Sequence, residues 1–289
     1  MGKLDNMNLF IRSIILKDNI KPQEFDKYPL NIKALKLFVS LRFTTPVTIF
    51  NGENGCGKST IIEAIASNLR IPVWGGNNYH IGVFENYDNG EENESELEKY
   101  LLVDKGFNRP YRTFFFRGES FYKIADIIAR DKSLGFASKR LLKMSHGESF
   151  MNFLNSQICE NSLYILDEPE AALSPINQLK LMTLIDKYSK KGSQFIIVSH
   201  SPFILGYSDA KLINLDGGMK EIKFKQTKIY NIYKSFLDNP KEYQEKFFEE
   251  EEILNSFIEY NNEFFTDEEI FDDSDDEFLD GEMEDIEEW

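Results

Sequence analysis

The stretch "NGENGCGKST", residues 51–60, determines how the rest of the chain is interpreted. Its Gly52 is followed, after four other residues, by Gly57, Lys58 and Ser59, which completes the phosphate-loop pattern. Glycines let the backbone curl so that its N–H groups face phosphate oxygens. In this pattern Lys58 is expected to reach the β- and γ-phosphates, and Ser59 is expected to offer its hydroxyl to Mg²⁺.

The segments on either side of the loop have the order that phosphate binding requires. The β-branched run "PVTIF" (46–50) predicts a strand, and "TIIEAIASNL" (60–69) has the spacing of a helix. The positive end of that helix is then aimed at the phosphates. The same setting is expected to lower the pKa of the Cys56 thiol. The residues expected to contact the phosphates are Asn54, Gly55, Cys56, Gly57, Lys58, Ser59 and Thr60.

Two later segments carry acids and a histidine at the ends of predicted buried strands. In "LYILDEPE" (163–170), Asp167 is suited to hold the water shell of Mg²⁺, and Glu168 is suited to polarise an attacking water. The alternative is an acidic strand end that caps the next helix. In "IIVSH" (196–200), a lone His200 is usually structural, but at this point in the order it is expected to sense the γ-phosphate.

Composition restricts the class of protein. The 289 residues are 42% hydrophobic, which is enough for a large core, and no run approaches eighteen apolar residues. The start of the chain lacks an apolar signal core. The two cysteines, Cys56 and Cys159, form neither a disulfide framework nor a metal-site pattern. We therefore expect a reduced, cytoplasmic protein without a membrane partner.

Strands alternate with helices along the chain, which predicts an α/β fold around a mostly parallel sheet. "NLFIRSIIL" (8–16) is typical of a strand, and "AKLINLDGGMKEIKF" (210–224) predicts a hairpin with a Gly-Gly turn.

The net charge of −16 is unevenly distributed. Residues 249–289 hold 20 of the 49 acids and none of the 33 Lys and Arg, so residues 1–248 carry 29 acids against 33 bases. We expect a catalytic domain over 1–248 and, over 249–289, an acidic tail that is disordered or docks a partner. The mildly basic body could approach nucleic acid, which the tail would repel.

This order of motifs resembles that of ABC-type ATPases, especially small stand-alone heads related to the Rad50/SMC and RecF group. The resemblance implies a P-loop NTPase of the ABC type, with a mostly parallel central sheet, an antiparallel β subdomain and a helical lobe. In "LLKMSHGESF" (141–150), "SHGES" stands where that family has its LSGGQ-like motif. Ser145 and Gly147 then match positions that contact the γ-phosphate held by the opposite subunit, and Glu148 is included with them. A Ser–His hydrolase would need an oxyanion loop and a third partner, and neither motif is evident.

The resemblance also assigns residues outside these motifs. "FFFRGESF" (114–121) lies at the place of the Q-loop, with Glu119 as metal-side ligand and Arg117 as an alternative contact, although the usual glutamine is absent. Arg12, in the predicted first strand, is expected near the nucleotide. Ser174 replaces the usual aspartate of the D-loop, which puts the cross-dimer contact of that loop in doubt.

The implied function is Mg²⁺-dependent ATP hydrolysis by a homodimer that sandwiches the nucleotide head to tail. Such a dimer would act as a switch for a partner, which is a nuclease, a toxin, DNA or RNA. The process would be nucleic-acid metabolism or antiviral defence. One alternative is the ATP-binding subunit of a membrane transporter, against which the Rad50-like start, the missing glutamine and the acidic tail argue. Another is a module that holds ATP without turnover, against which Glu168 argues.

Overall fold

The structure is a computed structural model that describes residues 9–71, 76–77, 95–118, 146–171 and 173–249. The chain divides into two compact units, residues 1–233 and 234–289. The fold that positions the functional site lies in the first unit. The boundary at residue 248 expected from composition stays a prediction, because the tail lies outside the described residues.

The described strands, in chain order, are β1 (Ile11–Leu16), β2 (Ser40–Arg42), β3 (Val47–Asn51), β4 (Gly76–Asn77), β5 (Leu101–Lys105), β6 (Thr113–Arg117), β7 (Leu163–Asp167), β8 (Gln194–Val198), β9 (Lys211–Asn214) and β10 (Lys220–Glu221). The described α-helices are α1 (Lys58–Asn68), α2 (His146–Gln157), α3 (Pro175–Ser189), α4 (Pro202–Leu205), α5 (Lys228–Asp238) and α6 (Pro240–Glu249). Short 3₁₀ turns occupy Pro22–Glu24, Lys33–Leu35, Glu96–Lys99 and Phe224–Gln226. Within these described ranges, no helix is both long and apolar enough to cross a bilayer.

The main sheet has seven strands in the order β10-β9-β3-β8-β7-β6-β4. Its five middle strands are parallel, whereas β10 and β4 pair antiparallel at the two edges. A second sheet, β2-β1-β5, is antiparallel throughout. These two sheets confirm the predicted mostly parallel α/β fold with an antiparallel β subdomain. Residues 119–145, which lead into α2, lie outside the described part.

Strands β3, β7 and β8 are buried on both faces, so polar and apolar residues do not alternate along their sequences. Side chains still alternate between the two faces, because the strand period is two residues. On β8, for example, Ile196 and Val198 pack into one core cluster with α1, and Phe195 and Ile197 pack into another with α2 and α3. The parallel register then places the carboxyl ends of β3, β7 and β8 at one edge of the sheet.

Most sequence-predicted elements agree with the observed ones. The strand predicted over 8–16 appears as β1, and the hairpin predicted over 210–224 appears as β9 and β10. The segment 33–43, "KALKLFVSLRF", forms a 3₁₀ turn before it reaches the short strand β2. Its strand is short because only Leu41 of β2 faces the core, with an exposed residue on each side.

Candidate functional site

The phosphate loop joins β3 to α1 in a shape that only glycine adopts easily. Gly55 and Gly57 have φ angles of +74° and +102°, in the left-handed region that L side chains rarely adopt. A Cβ at Gly57 would also stand 2.5 Å from Cδ1 of Ile32. Gly57 is the N-cap of α1, so its conformation turns the loop directly into the first helical turn. The positive end of α1 therefore points into the curl of the loop.

Lys58 occupies the inside of that curl. The residue is only 6% exposed, and its Nζ donates to the carbonyl oxygens of Gly52 at 3.0 Å and Glu53 at 2.9 Å. Both acceptors belong to the loop itself. The ammonium is thus held in place by neutral partners that a more strongly charged ligand can replace.

Two contacts hold the outer side of the loop. The backbone N–H of Glu53 donates to Asp216 Oδ1 at 2.7 Å, in the turn after β9. The Glu53 carboxylate pairs with Lys228 at the start of α5, and this pairing lowers its pKa. The loop is therefore anchored from a part of the chain more than 160 residues away.

Asp167 ends β7 with one oxygen paired and one free. Its Oδ2 accepts from Arg117 Nε at 3.1 Å, and Arg117 also forms an ion pair with Glu63 of α1. Asp167 Oδ1 is buried and accepts no hydrogen bond within the described structure. Burial raises the pKa of Asp167, an effect opposed by the charge of Arg117 and by the nearby Ser59 hydroxyl. A buried carboxylate oxygen without a donor, close to a hydroxyl, is suited to a hard cation.

Glu168, the next residue, has a left-handed backbone with φ +45°, which is uncommon for a residue that carries a side chain. Its N–H donates to the carbonyl oxygen of Val198, which ties the end of β7 to the end of β8. Such strained conformations are concentrated at functional sites. Here the backbone direction brings the carboxylate to 3.6 Å from His200 Nε2.

His200 follows β8 and is half-buried beside Glu168. Burial lowers its pKa, and the charge of Lys58 lowers it further. The imidazole is therefore neutral at physiological pH, and its contact with Glu168 is not an ion pair. At 3.6 Å the two side chains are in contact but are not hydrogen-bonded, and His200 Nε2 has no hydrogen-bond partner in the described structure.

Glu170 is a site residue that the sequence reasoning missed. Its Oε1 accepts from Ser199 Oγ at 2.8 Å, from the N–H of His200 at 2.6 Å and from the N–H of Ser201 at 3.1 Å. These bonds fix the turn that presents His200 next to Glu168. Burial raises the pKa of the Glu170 carboxyl. The only sequence signal was a third acid in "DEPE", which by itself does not indicate a partner thirty residues away.

The phosphate loop and both strand ends line one cleft of about 620 Å³. Gly52, Glu53 and Asn54 line one part of it, and Glu168 and His200 line another. The rest of the wall comes from Asn51, Asn214, Asp216 and residues between 222 and 232. The predicted phosphate loop, the second strand-end acid and the histidine are therefore brought together in space, although they lie up to 148 residues apart in sequence.

The expectation for Cys56 is wrong. The residue is 1% exposed, and burial raises the pKa of its thiol, despite the nearby charge of Lys58. The thiol packs inward from the loop toward the core cluster that contains α1. Desolvation therefore outweighs the helix terminus on which the prediction was based.

Other predicted residues are not brought into the cleft by the described contacts. Arg12 donates to Asp104 Oδ1 at 2.7 Å, and its guanidinium lies 5.2 Å from the ring centroid of Phe107. Its expected role near the nucleotide stays a prediction. Ser174 is the N-cap residue of α3, with Pro175 as the first helical residue.

Part of the predicted site lies outside the description. Glu119 and Ser145 are not among the described residues, whereas Gly147 and Glu148 lie in the first turn of α2. Asn54 and Gly55 are exposed on the loop, and Thr60 lies in the first turn of α1. The contacts assigned to these residues stay predictions.

The sheet order, the phosphate loop between β3 and α1, and the acids that end β7 are features of the P-loop NTPase fold of the ABC type. The family described as "AAA domain, putative AbiEii toxin, Type IV TA system" matches residues 120–206. That match begins after the phosphate loop and includes Asp167, Glu168 and His200. The matched segment therefore contains the site residues at the ends of β7 and β8, whereas the phosphate loop lies before it.

Curated relatives agree with this class. A Bacillus cereus protein described as "Putative ABC transporter ATP-binding protein" is 24% identical over 77% of this chain and 44% of its own length. A protein of the same description from Bacillus thuringiensis is 22% identical over 86% of this chain and 52% of its own length. The chain therefore spans about half the length of the curated relatives it matches.

Among solved structures, the "SMC head domain from Thermotoga maritima" is similar with a TM-score of 0.40 and 16% identity, covering 74% of this chain and all of the other. Because this likeness is distant, the class rests on the motifs, the topology and the matches above. On these grounds the chain has the fold of an ABC-type ATP-binding domain.

Proposed function

We propose that the protein binds ATP with Mg²⁺ and hydrolyses it, and that it does so as a head-to-tail dimer that switches a partner. The observation that carries this proposal is that Glu168 and His200 line one cleft together with the phosphate loop. The buried Lys58 ammonium lies directly behind that wall, because it donates to the carbonyl oxygens of Gly52 and Glu53. The Asp167 oxygen without a partner lies at the same sheet edge.

Phosphate binding would use groups that are already in position. The β- and γ-phosphate oxygens would replace the carbonyl oxygens of Gly52 and Glu53 as acceptors for Lys58, and hydrogen bonds between charged groups are stronger than those they replace. The N–H groups of the loop and the N-terminus of α1 would receive the remaining phosphate charge. Little rearrangement is needed beyond this exchange.

Mg²⁺ fits the oxygen atoms that the site offers. Ser59 supplies a hydroxyl and Asp167 a buried carboxylate oxygen that accepts no hydrogen bond, and oxygen is the ligand that Mg²⁺ prefers. When bound, the ion supplies positive charge that neutralises the phosphates. Arg117, paired with the other oxygen of Asp167, would keep the carboxylate oriented toward the loop.

Hydrolysis would place a water between Glu168 and the γ-phosphate. Glu168 would accept a proton from that water as the water oxygen bonds to phosphorus. The bond from phosphorus to the β–γ bridging oxygen would break, leaving ADP and phosphate. His200, neutral and 3.6 Å from Glu168, would hold the carboxylate and contact the γ-phosphate.

The dimer would complete each site from the opposite subunit. Ser145, Gly147 and Glu148 belong to "SHGES", the segment that leads into α2. In the proposed sandwich these residues contact the γ-phosphate bound by the partner subunit. ATP would then join two heads, and hydrolysis would release them.

The partner of such a switch is proposed from the class of protein, the description of the matching family and the charge of the tail. Closure of the two ATPase domains would act on a nuclease, on a toxin, or on a DNA or RNA strand. The process would be nucleic-acid metabolism or antiviral defence. The description of the matching family names a toxin system, which supports a defence setting. The tail over 249–289, with 20 acids, is suited to hold a basic partner.

The test is the Glu168→Gln variant. Because the base is removed while the phosphate contacts remain, phosphate release should fall at least about a hundredfold. ATP should at the same time shift the variant from monomer to dimer in size-exclusion chromatography. Glu221→Gln, a matched change on the exposed β9–β10 hairpin, should behave as wild type. A variant that stays monomeric at saturating ATP would contradict the sandwich, and unchanged phosphate release would contradict the role of Glu168.

The names of the curated relatives support one alternative, the ATP-binding subunit of a transporter. Cell fractionation separates the two. A transporter subunit should sediment with membranes together with a permease, whereas the proposed switch should remain in the soluble fraction.

A further inference from the structure

A second cleft lies at the opposite edge of the main sheet from the phosphate loop. It encloses about 730 Å³, and Thr113 and Leu163, the first residues of β6 and β7, lie in its wall. Leu69 and Arg70, just after α1, line another side, and the loop 106–112 forms the rim. We call these lining residues the basic–aromatic groove. Among the described residues, none that belongs to the proposed ATP site lines it.

The rim loop is fixed at both ends. The N–H of Gly106 donates to the carbonyl oxygen of Phe10 at 2.9 Å, and a Cβ at Gly106 would lie only 1.9 Å from the carbonyl oxygen of Leu9. The N–H of Tyr111 donates to Asn161 O at 2.7 Å. Both ends of the loop are therefore tied to the body of the domain, which reduces the entropy lost when a ligand binds.

Two aromatic rings project from this fixed loop into solvent. Phe107 is 82% exposed and Tyr111 is 74% exposed. Burial of either ring in the core would stabilise the fold, so their exposure on a rigid loop indicates a surface that contacts something else. Arg12 lies over the Phe107 ring, which orients the ring and leaves most of its area accessible.

The charges that line the groove are all positive. Arg70, Lys105, Arg109 and Arg112 contribute them, and no carboxylate of the described part of the chain lines it. Lys105 donates to a backbone oxygen at the end of α1, and Arg112 donates to Gln157, so neither cation is paired with a carboxylate of the described residues.

The carboxylates next to the groove do not offset this charge. Asp104 is paired with Arg12, and Glu160 is paired with Lys191. Within the described residues, neither Arg70 nor Arg109 has an ion-pair partner. The described residues therefore give the groove a net positive charge, which phosphate groups would neutralise.

From this arrangement we propose that the basic–aromatic groove binds single-stranded nucleic acid. Arg70 and Arg109 would contact phosphates, and Phe107 and Tyr111 would stack on bases. Duplex bases are already stacked on each other and offer no free face, so a single strand is preferred. An acidic peptide would use the arginines but would leave the ring faces without a specific contact. The inference does not rest on ATP turnover at the other edge.

The experiment measures binding of fluorescein-labelled oligo(dT) and oligo(U) of about twenty nucleotides to the full chain by fluorescence anisotropy. Phe107→Leu and Tyr111→Leu should each weaken binding about tenfold, because a base–aromatic stack is removed while an apolar side chain is kept. Arg109→Gln should reduce the slope of log affinity against log salt by about 0.7 for each phosphate that the protein no longer neutralises. Lys220→Gln removes the same charge from the exposed β9–β10 hairpin and should leave affinity and slope unchanged.

Several results would overturn the proposal. One is that neither oligonucleotide binds, or that a duplex of equal length binds as tightly. Another is equal loss of affinity in Lys220→Gln and Arg109→Gln, which would show charge attraction without a site. A third is that a labelled peptide of residues 250–289 binds in an Arg109-dependent way while the oligonucleotides do not, because the occupant would then be an acidic segment.

Discussion

The two edges of the central sheet use charge in opposite ways. At the carboxyl edge, Lys58 and Asp167 are 6% and 4% exposed, and each is held by named partners. At the opposite edge, where the amino ends of the parallel strands lie, Arg70 and Arg109 are exposed, and so are the rings of Phe107 and Tyr111. Desolvated charges fixed before binding suit a small ligand with a fixed shape. Exposed charges and rings on a rigid loop suit an extended chain that is held by many weaker contacts.

The largest effect is expected from a substitution that deforms the phosphate loop at the carboxyl edge. Gly57→Val places a Cβ against Ile32 and a β-branched residue at φ +102°. We expect at least a hundredfold loss of ATP affinity, and a cost to folding of about 1–3 kcal/mol for the strained backbone. Equilibrium binding of a fluorescent ATP analogue and chemical denaturation measure the two effects.

Gly217→Ala is the control for that change. A Cβ at Gly217 meets no atom within 4 Å, so binding and stability should stay close to wild type. If Gly57→Val bound ATP normally, the carboxyl edge would not depend on the preformed loop.

Removal of the buried ammonium has the next largest effect. Lys58→Ala removes the side chain that donates to Gly52 and Glu53, and with it the proposed contact to the β- and γ-phosphates. A charged hydrogen-bond donor contributes about 1.5–3 kcal/mol, so ATP affinity should fall about ten- to a hundredfold in calorimetry. Lys225→Ala, which removes an exposed lysine of the same sign, should change it little. Equal affinity in the two variants would place the nucleotide elsewhere.

A smaller effect concerns the pH dependence of stability through Glu170. Burial raises the pKa of its carboxyl in the folded state, so its contribution to stability is present below about pH 4.3 and is lost as pH rises through the folded pKa. Glu170→Gln keeps an oxygen acceptor for Ser199 and His200 but cannot ionise. The stability of wild type relative to the variant should therefore decrease from pH 4.5 to pH 7 in urea denaturation. A constant difference would show that the three donors to Glu170 offset its burial.

The smallest expected effect tests whether the edges are independent. Arg109→Gln should leave the ATPase rate of the isolated protein within about twofold of wild type, because Arg109 lies at the edge away from the phosphate loop and contacts none of its residues in the described structure. Phosphate release without oligonucleotide is the measurement. A large loss of activity would show that the two edges are coupled within one subunit.

Sequence reasoning predicted the parts of the molecule that depend on local chemistry. The spacing of glycines, Lys58 and Ser59 identifies the phosphate loop because backbone geometry at those positions leaves few alternatives. Continuous apolar runs identified β3, β7 and β8. A strand that is buried on both faces has apolar residues at successive positions and does not alternate them with polar ones.

What the sequence did not predict depends on contacts between distant residues. The pairing of Arg117 with Glu63 and Asp167 joins residues at least fifty positions apart. The burial that raises the pKa of the Cys56 thiol depends on the packed core and not on the local sequence. Glu170 holds a turn that is adjacent only after β7 and β8 have paired. The basic–aromatic groove is likewise assembled from residues near 70, 110 and 163, which no local pattern joins.

The left-handed backbone of Glu168 has a consequence for selection. Glycine, or asparagine, would adopt φ +45° at a lower energetic cost, so folding alone would be better served by either residue at this position. A library of variants screened only for heat resistance should therefore lose the glutamate at position 168. One screened for ATP turnover should keep it, at the expense of stability. The residue found there in each surviving population reports which of the two pressures was acting.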